Sequence, residues 1–340
     1  MTATATANSP TSAPRADISA LRDLVASDIV RVNQVILEHG HSDISLINDL
    51  ASHIIAAGGK RLRPSLTVAA AKLCGYDQGD RHVRLAACVE FIHTATLLHD
   101  DVVDESHLRR GAATANALWG NKSSVLVGDF LFSRAFQLMV KDGSLDVLKI
   151  LSDASAIIAS GEVHQLMVSH DLSIGQEVYE QVISAKTAAL FAAACEIGAV
   201  VSNQLQWREP LRQYGQALGM AFQLVDDALD YQSSEADLGK AIGDDFRDGK
   251  VTLPVLLAYQ QGSAEERAFW ESAIEESETI SNDDLLHAQT LLAKHHAFEQ
   301  TIRVAEKFTQ SARDALAVFP ASKAKDALLE AADFAVARSY

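Results

Sequence analysis

Residues 81–104 read RHVRLAACVEFIHTATLLHDDVVD, and this stretch decides the fold. It holds no proline or glycine and is too long for a typical strand. From Cys88 to Leu98 only Glu90, His93, Thr94 and Thr96 interrupt an apolar surface. A helix that is apolar nearly all round has no face to offer water, so other helices must surround it. The stretch therefore predicts the centre of a helical bundle, and it ends abruptly in Asp100, Asp101 and Asp104.

The flanking sequence is written in the same style. No proline lies between Pro64 and Pro210, and alanine and leucine dominate that interval, which permits several long helices. Leu21, Leu24, Val25 and Ile29 recur at helical spacing up to Gly40. A second helix starts near Ser42 or Asp43 and runs to Gly58-Gly59. Pro64 suits the first turn of a third, which stops near Gly75. Further helices are expected over Ser123–Asp142, Leu145–Ser169, Gln176–Ser202, Pro210–Tyr231 and Leu253–Gln261, with amphipathic helices over Asn282–Ser339. Residues 111–121 read as a loop and helix start. No run of alternating strands and no solenoid repeat is present. The fold class is all-α, a large helical bundle of roughly ten or more helices. Residues 1–16, rich in Ala, Thr, Ser and Pro, read as a flexible tail, and 17–340 as a single all-helical domain.

Composition limits the function classes. The chain has 340 residues, 48% hydrophobic and 22% charged, which suits a globular core rather than disorder. Its net charge of −16 argues against nucleic acid as a partner, because a phosphate polymer would be repelled. Small phosphorylated ligands need only a local basic pocket and remain allowed. Three cysteines, Cys74, Cys88 and Cys195, give no disulfide framework and suggest a reducing, cytoplasmic setting. The most apolar stretch, residues 188–201, contains Glu196 and is too short to span a bilayer.

The chemistry lies at the helix ends. Asp100 and Asp104 are i,i+4 neighbours on one helix face, with Asp101 beside them. Alone, such a cluster is most simply a solvated helix end. Asp226, Asp227 and Asp230 repeat the DDxxD pattern at the end of a second apolar helix. Two such helices packed side by side gather six carboxylates at one mouth. Hard oxygen ligands of this kind suit Mg²⁺ shared with substrate phosphates. Asp244, Asp245 and Asp248 follow in a glycine-punctuated loop. Basic residues bracket the acids. Lys60, Arg61 and Arg63 stand at a helix start, where backbone N–H groups favour an anion. Arg109 and Arg110 follow the first aspartate cluster, and arginine's planar fork suits diphosphate. No Ser-His-Asp or Cys-His arrangement is apparent. His99-Asp100 alone is also compatible with a metal-dependent His-Asp phosphohydrolase.

In order along the chain stand GGKRLRP (58–64), LLHDDVVDESHLRRG (97–111), KT (186–187), FQLVDDALD (222–230) and GDDFRDGK (243–250). Together they resemble the trans-isoprenyl diphosphate synthases, and the bacterial long-chain members most. The resemblance implies a bundle of the isoprenoid synthase type around a central apolar cavity, Mg²⁺ dependence, isopentenyl and allylic diphosphate substrates, and a homodimer. It also implies transient membrane contact for release of a lipid product. Lys60, Arg63, His93 and Arg110 would bind isopentenyl diphosphate. Arg109, Lys186, Thr187, Gln223 and Lys240 would face the allylic diphosphate. The six aspartates would hold the metal ions that activate the leaving diphosphate. Ala95 and Thr96 are small, at a place where an aromatic residue would halt elongation early. Phe132, Phe136 and Met139 could floor the tunnel. A shorter-chain geranylgeranyl synthase, a terpene cyclase and a non-catalytic partner subunit are the competing readings within or near this family.

Overall fold

The computed structural model describes residues 17–56, 59–109, 111–232, 243–276 and 280–337. The 1–16 tail, Gly58, Arg110 and Lys240 lie outside the described residues. In chain order the helices are α1 (Ser19–Gly40), α2 (Ser45–Ala56), α3 (Leu62–Leu73), α4 (Arg81–Val103), α5 (Ala115–Trp119), α6 (Asn121–Asp142), α7 (Leu145–Val168), α8 (Gln176–Ile183), α9 (Ala189–Val201) and α10 (Arg208–Leu229). They continue with α11 (Asp244–Arg247), α12 (Leu253–Gln261), α13 (Ala264–Trp270), α14 (Asn282–Lys294), α15 (Ala297–Ala315) and α16 (Lys323–Ala337). Among the described residues the only strands are a two-residue ribbon, β1 (Leu108–Arg109) antiparallel to β2 (Ala112–Ala113).

The all-α bundle agrees with the sequence, and three details differ. The second helix begins at Ser45, not near Ser42 or Asp43. Asn48 explains this: its side chain accepts from the Ser42 N–H at 2.9 Å and donates to the Ser42 carbonyl at 2.7 Å, which fixes Ser42 in a turn ahead of the helix. Residues 176–202 do not form one α-helix. A π-helical turn, Ser184–Ala188, separates α8 from α9. Between α4 and α6 the expected loop also carries the β1–β2 ribbon.

Helix α4 lies where its sequence places it, with Val89, Ile92, Ala95 and Leu98 wholly buried. It packs along α6, α3 and α1. Glu90, the one acid in its apolar run, is ion-paired to Arg61. Helix α9 forms the second buried column and is flanked by α3, α7 and α10. Close approach there depends on glycine. A Cβ on Gly219 of α10 would stand 2.6 Å from the Ala188 Cα, and one on Gly161 of α7 would stand 2.7 Å from the Ala185 Cβ. Side-chain-free contacts let backbones pack at this range. They pull α7 and α10 onto the π-turn that carries Lys186 and Thr187, so helix packing sets the position of that dipeptide.

Candidate active site

The first aspartate cluster closes α4. Asp101 is almost wholly buried, and the Arg109 guanidinium returns to it, Nε at 2.8 Å and Nη2 at 2.7 Å from Oδ1. This return is built into the ribbon. Asn116 Nδ2 donates to the carbonyls of Asp101 (2.9 Å) and Ser106 (3.0 Å), and Thr114 Oγ1 donates to the Ser106 carbonyl at 2.7 Å. Burial pushes the Asp101 carboxyl up, and Arg109 opposes the rise. Asp100 is pushed up to about 7, mainly by burial. Lys186 draws it down, while Glu162 and Asp104 push it further up.

The second cluster closes α10. Asp227 is 3% exposed and accepts at both oxygens: Tyr179 Oη donates to Oδ2 at 2.5 Å and Gln223 Nε2 to Oδ1 at 2.7 Å. Thr187 Oγ1 in turn donates to Gln223 Oε1 at 2.8 Å. Burial, then Asp245, push Asp227 up to about 7, and the two donors oppose this. Asp230 is fully buried and accepts at Oδ2 from the Asp245 N–H at 3.2 Å. Asp226 is partly exposed beside it.

A loop joins the two clusters. Lys250 Nζ stands 3.0 Å from Asp104 Oδ2, 2.9 Å from Asp248 Oδ2 and 3.8 Å from Asp245 Oδ1. Burial would pull this ammonium down, yet the three carboxylates carry it well above the ordinary lysine range. Gly249, at φ 65°, forms the close bend before it, and its carbonyl accepts from the His170 N–H at 2.9 Å. Lys186 pairs with Glu162 at 2.8 Å. A cavity of about 100 Å³ lies among Tyr179, Lys186, Thr187, Gln223, Asp227, Asp245 and Lys250.

The structure thus brings Lys186, Thr187, Gln223 and Asp227 onto one cavity and sets Asp100 within the field of Lys186. Elsewhere, the Arg63 guanidinium stacks 4.3 Å from the Phe191 ring centre and donates to His93 Nε2 at 3.1 Å. Lys60 Nζ lies 4.9 Å from the Phe334 ring centre. Ala95 is buried, Thr96 Oγ1 donates to the His93 carbonyl at 2.8 Å, and Phe132 and Phe136 meet edge to face at 5.3 Å. Met139 is buried on the same helix as this pair.

Among the described residues no three of the Asp, Glu, His and Cys side chains already converge as a metal cage. The donor chemistry still fits a hard divalent cation: carboxylate oxygens, two of them on groups held near neutrality by burial, beside cations that can pass to a phosphate. Glu162 and Tyr179 were not singled out from sequence. Glu162 has one legible signal, its place next to Gly161 on the face opposite Lys186; Tyr179 is an ordinary apolar-face aromatic until its hydroxyl is located.

Replacing Lys250 by Met is expected to lower stability by about 2 kcal/mol without metal. That is less than the ~3–5 kcal/mol for a fully buried ion pair, because Lys250 keeps some exposure. Added Mg²⁺ should return much of the loss in thermal melts. An equal deficit with and without metal would show that Lys250 does not neutralise the metal-binding acids.

The Polyprenyl synthetase family model matches residues 44–292. Octaprenyl diphosphate synthase of Escherichia coli (strain K12) is 46% identical over 325 residues, covering 95% of this chain and 99% of that protein. The all-trans-nonaprenyl-diphosphate synthase (geranyl-diphosphate specific) of Rhodobacter capsulatus is 40% identical over 314 residues, covering 92% and 96%. The crystal structure of a polyprenyl synthase from Caulobacter crescentus CB15, complexed with calcium and isoprenyl diphosphate, superposes with a TM-score of 0.92 at 51% identity, covering 96% of this chain and 100% of that one. With the paired aspartate clusters and the lysine-threonine wall in place, the chain is a prenyltransferase and belongs to the polyprenyl synthetase family.

Proposed function

We propose that this chain is a long-chain trans-polyprenyl diphosphate synthase. It adds isopentenyl units in sequence to an allylic diphosphate, with farnesyl diphosphate as primer, giving an octaprenyl- to decaprenyl-length product for a quinone side chain. The observation that carries the reading is the cavity on which Lys186, Thr187, Gln223 and Asp227 converge beside the Asp100 cluster, in a chain so similar to octaprenyl and nonaprenyl synthases.

In this reading Asp100, Asp104, Asp226 and Asp230 hold Mg²⁺, which when bound neutralises the leaving diphosphate. Lys186, Arg109, Lys240 and Lys250 add positive charge where negative charge develops. Lys60, Arg63, His93 and Arg110 hold isopentenyl diphosphate, its double bond directed at the allylic carbon. Holding both substrates together removes much of the entropic barrier. The allylic C–O bond breaks, the isopentenyl double bond attacks the cation, and the proton lost from the adduct passes to the released diphosphate. No side-chain nucleophile is needed. Purified protein given farnesyl diphosphate, labelled isopentenyl diphosphate and Mg²⁺ should give long-chain product. Asp100→Ala and Asp226→Ala should each lower turnover by several orders of magnitude. Near-normal turnover of either at saturating Mg²⁺ would refute the metal assignment.

The growing tail is assigned to the space between α4 and α6, past Ala95 and Thr96 toward Phe132, Phe136 and Met139. Ala95 lies five residues before Asp100, roughly 7–8 Å along the helix. Ala95→Phe should shorten the product, read by chromatography of labelled chains. An unchanged length distribution would remove Ala95 from the tunnel wall.

A homodimer is part of the proposal. Leu126 and Val140 of α6 and Val163, Leu166 and Met167 of α7 are exposed on two helices that pack together, and exposed apolar side chains gathered in this way suit an interaction surface. A second copy of this chain is the proposed cover. Sedimentation equilibrium should report a dimer that Leu126→Glu weakens; a monomer at micromolar concentration would exclude it.

A further inference from the structure

We propose that Tyr179 is a positioning residue for prenyl transfer, acting through Asp227 to fix Gln223 and Thr187 on the wall that faces the allylic diphosphate. The proposal rests on the function assigned above and goes beyond it, because none of the sequence motifs contains Tyr179.

Thr187 Oγ1 lies 2.8 Å from Gln223 Oε1, Gln223 Nε2 lies 2.7 Å from Asp227 Oδ1, and Tyr179 Oη lies 2.5 Å from Asp227 Oδ2. The Gln223 amide turns its NH₂ to Asp227 and its oxygen to Thr187, and an amide oxygen only accepts. Thr187 must then donate, which fixes its hydroxyl rotor. The whole order follows from the Asp227 carboxyl held in one orientation. Gln223 alone holds one of its oxygens; Tyr179 holds the other. Tyr179, Asp227 and Thr187 are each less than a tenth exposed, so water is poorly placed to replace the phenol.

The backbone supports the same reading. Gln223 and Asp227 are i,i+4 on α10 and present one face. Tyr179 reaches that face from α8, and Thr187 reaches it from the π-turn that follows. π-turns inside α-helices are frequent at functional sites. Thr187 also adjoins Lys186, which pairs with Glu162. A loose Asp227 would therefore disturb the amide, the hydroxyl and the neighbouring ammonium together, all on the allylic side. Arg63 and His93, assigned to isopentenyl diphosphate, hydrogen-bond to each other at 3.1 Å.

The test is steady-state kinetics of Tyr179→Phe, a shape-conserving change, with each substrate varied in turn. kcat/KM for farnesyl diphosphate should fall about tenfold or more, the size of one lost hydrogen bond to a charged acceptor. KM for isopentenyl diphosphate should not change. The rise in melting temperature produced by farnesyl diphosphate with Mg²⁺ should shrink in the variant, a readout independent of turnover. Gln223→Leu should cost much less in the Tyr179→Phe background than in the wild type, because both act on one carboxylate. Equal losses for both substrates, an additive cycle, or a variant that unfolds at assay temperature would overturn the proposal by making Tyr179 a packing residue. Wild-type protein that forms no prenyl product would instead overturn the functional reading beneath it.

Discussion

Like charge gathered at the ends of two buried helices is the constraint on which the rest of the site depends. Helix α4 over residues 88–98 and α10 over residues 214–225 are largely apolar, and both end in acids, so packing them into one core also brings carboxylates to one region. Each acid must find a donor or a cation, since an unpaired buried charge is costly. The local architecture around the cavity answers that demand. The β1–β2 ribbon returns Arg109 to Asp101. The 243–250 loop folds over Asp230 and delivers Lys250 to Asp104, Asp245 and Asp248. Tyr179 and Gln223 complete Asp227.

Packing supplies the second half of the design. Lys186 sits on a π-turn rather than on a loop, and that turn is pinned by Gly161 on one side and Gly219 on the other. A lysine on a four-carbon stem is a poorly placed charge unless its backbone is fixed. Here the backbone is fixed by close helix contact, and Glu162 then holds the ammonium. Rigid helices therefore carry Lys186 and Thr187, and the mobile part of the problem is confined to side chains.

Much of this was legible in the chain. The apolar helix ending in Asp100, Asp101 and Asp104 declared both the bundle and its charged mouth, because periodicity and charge are local properties. Of the paired DDxxD clusters, Asp227 lines the same cavity as Lys186 and Thr187. What stayed hidden depends on three-dimensional register. The π-turn in 176–202 has no compositional mark, since Ala, Ser, Lys and Thr suit either helix. Tyr179 looks like any half-apolar core residue, and Glu162 like any solvated helix acid. Their roles exist only once α8, α7 and α10 meet. Asn48 shortening the second helix is a smaller case of the same kind: a side chain competing with the backbone for Ser42.

The same crowding links stability to ligand binding. Asp100 and Asp227 each stand near 7 rather than at 3.8, burial being the largest cause for both. A carboxyl whose folded value is raised binds its proton more tightly in the fold than in the open chain. Above the ordinary carboxyl range the fold therefore loses stability as pH rises toward 7, the window in which the open chain is already ionised and these two groups resist it. At neutral pH the protein holds acids that are costly to ionise, with Lys186 at Asp100 and the Tyr179 and Gln223 donors at Asp227 offsetting only part of the cost. Any cation that binds the native mouth and not the open chain returns that stability by mass action. The cost of ionising Asp100 and Asp227 is thereby coupled to occupancy of the mouth by a cation. A mouth relaxed by further built-in cations would make a more stable bundle and a weaker site.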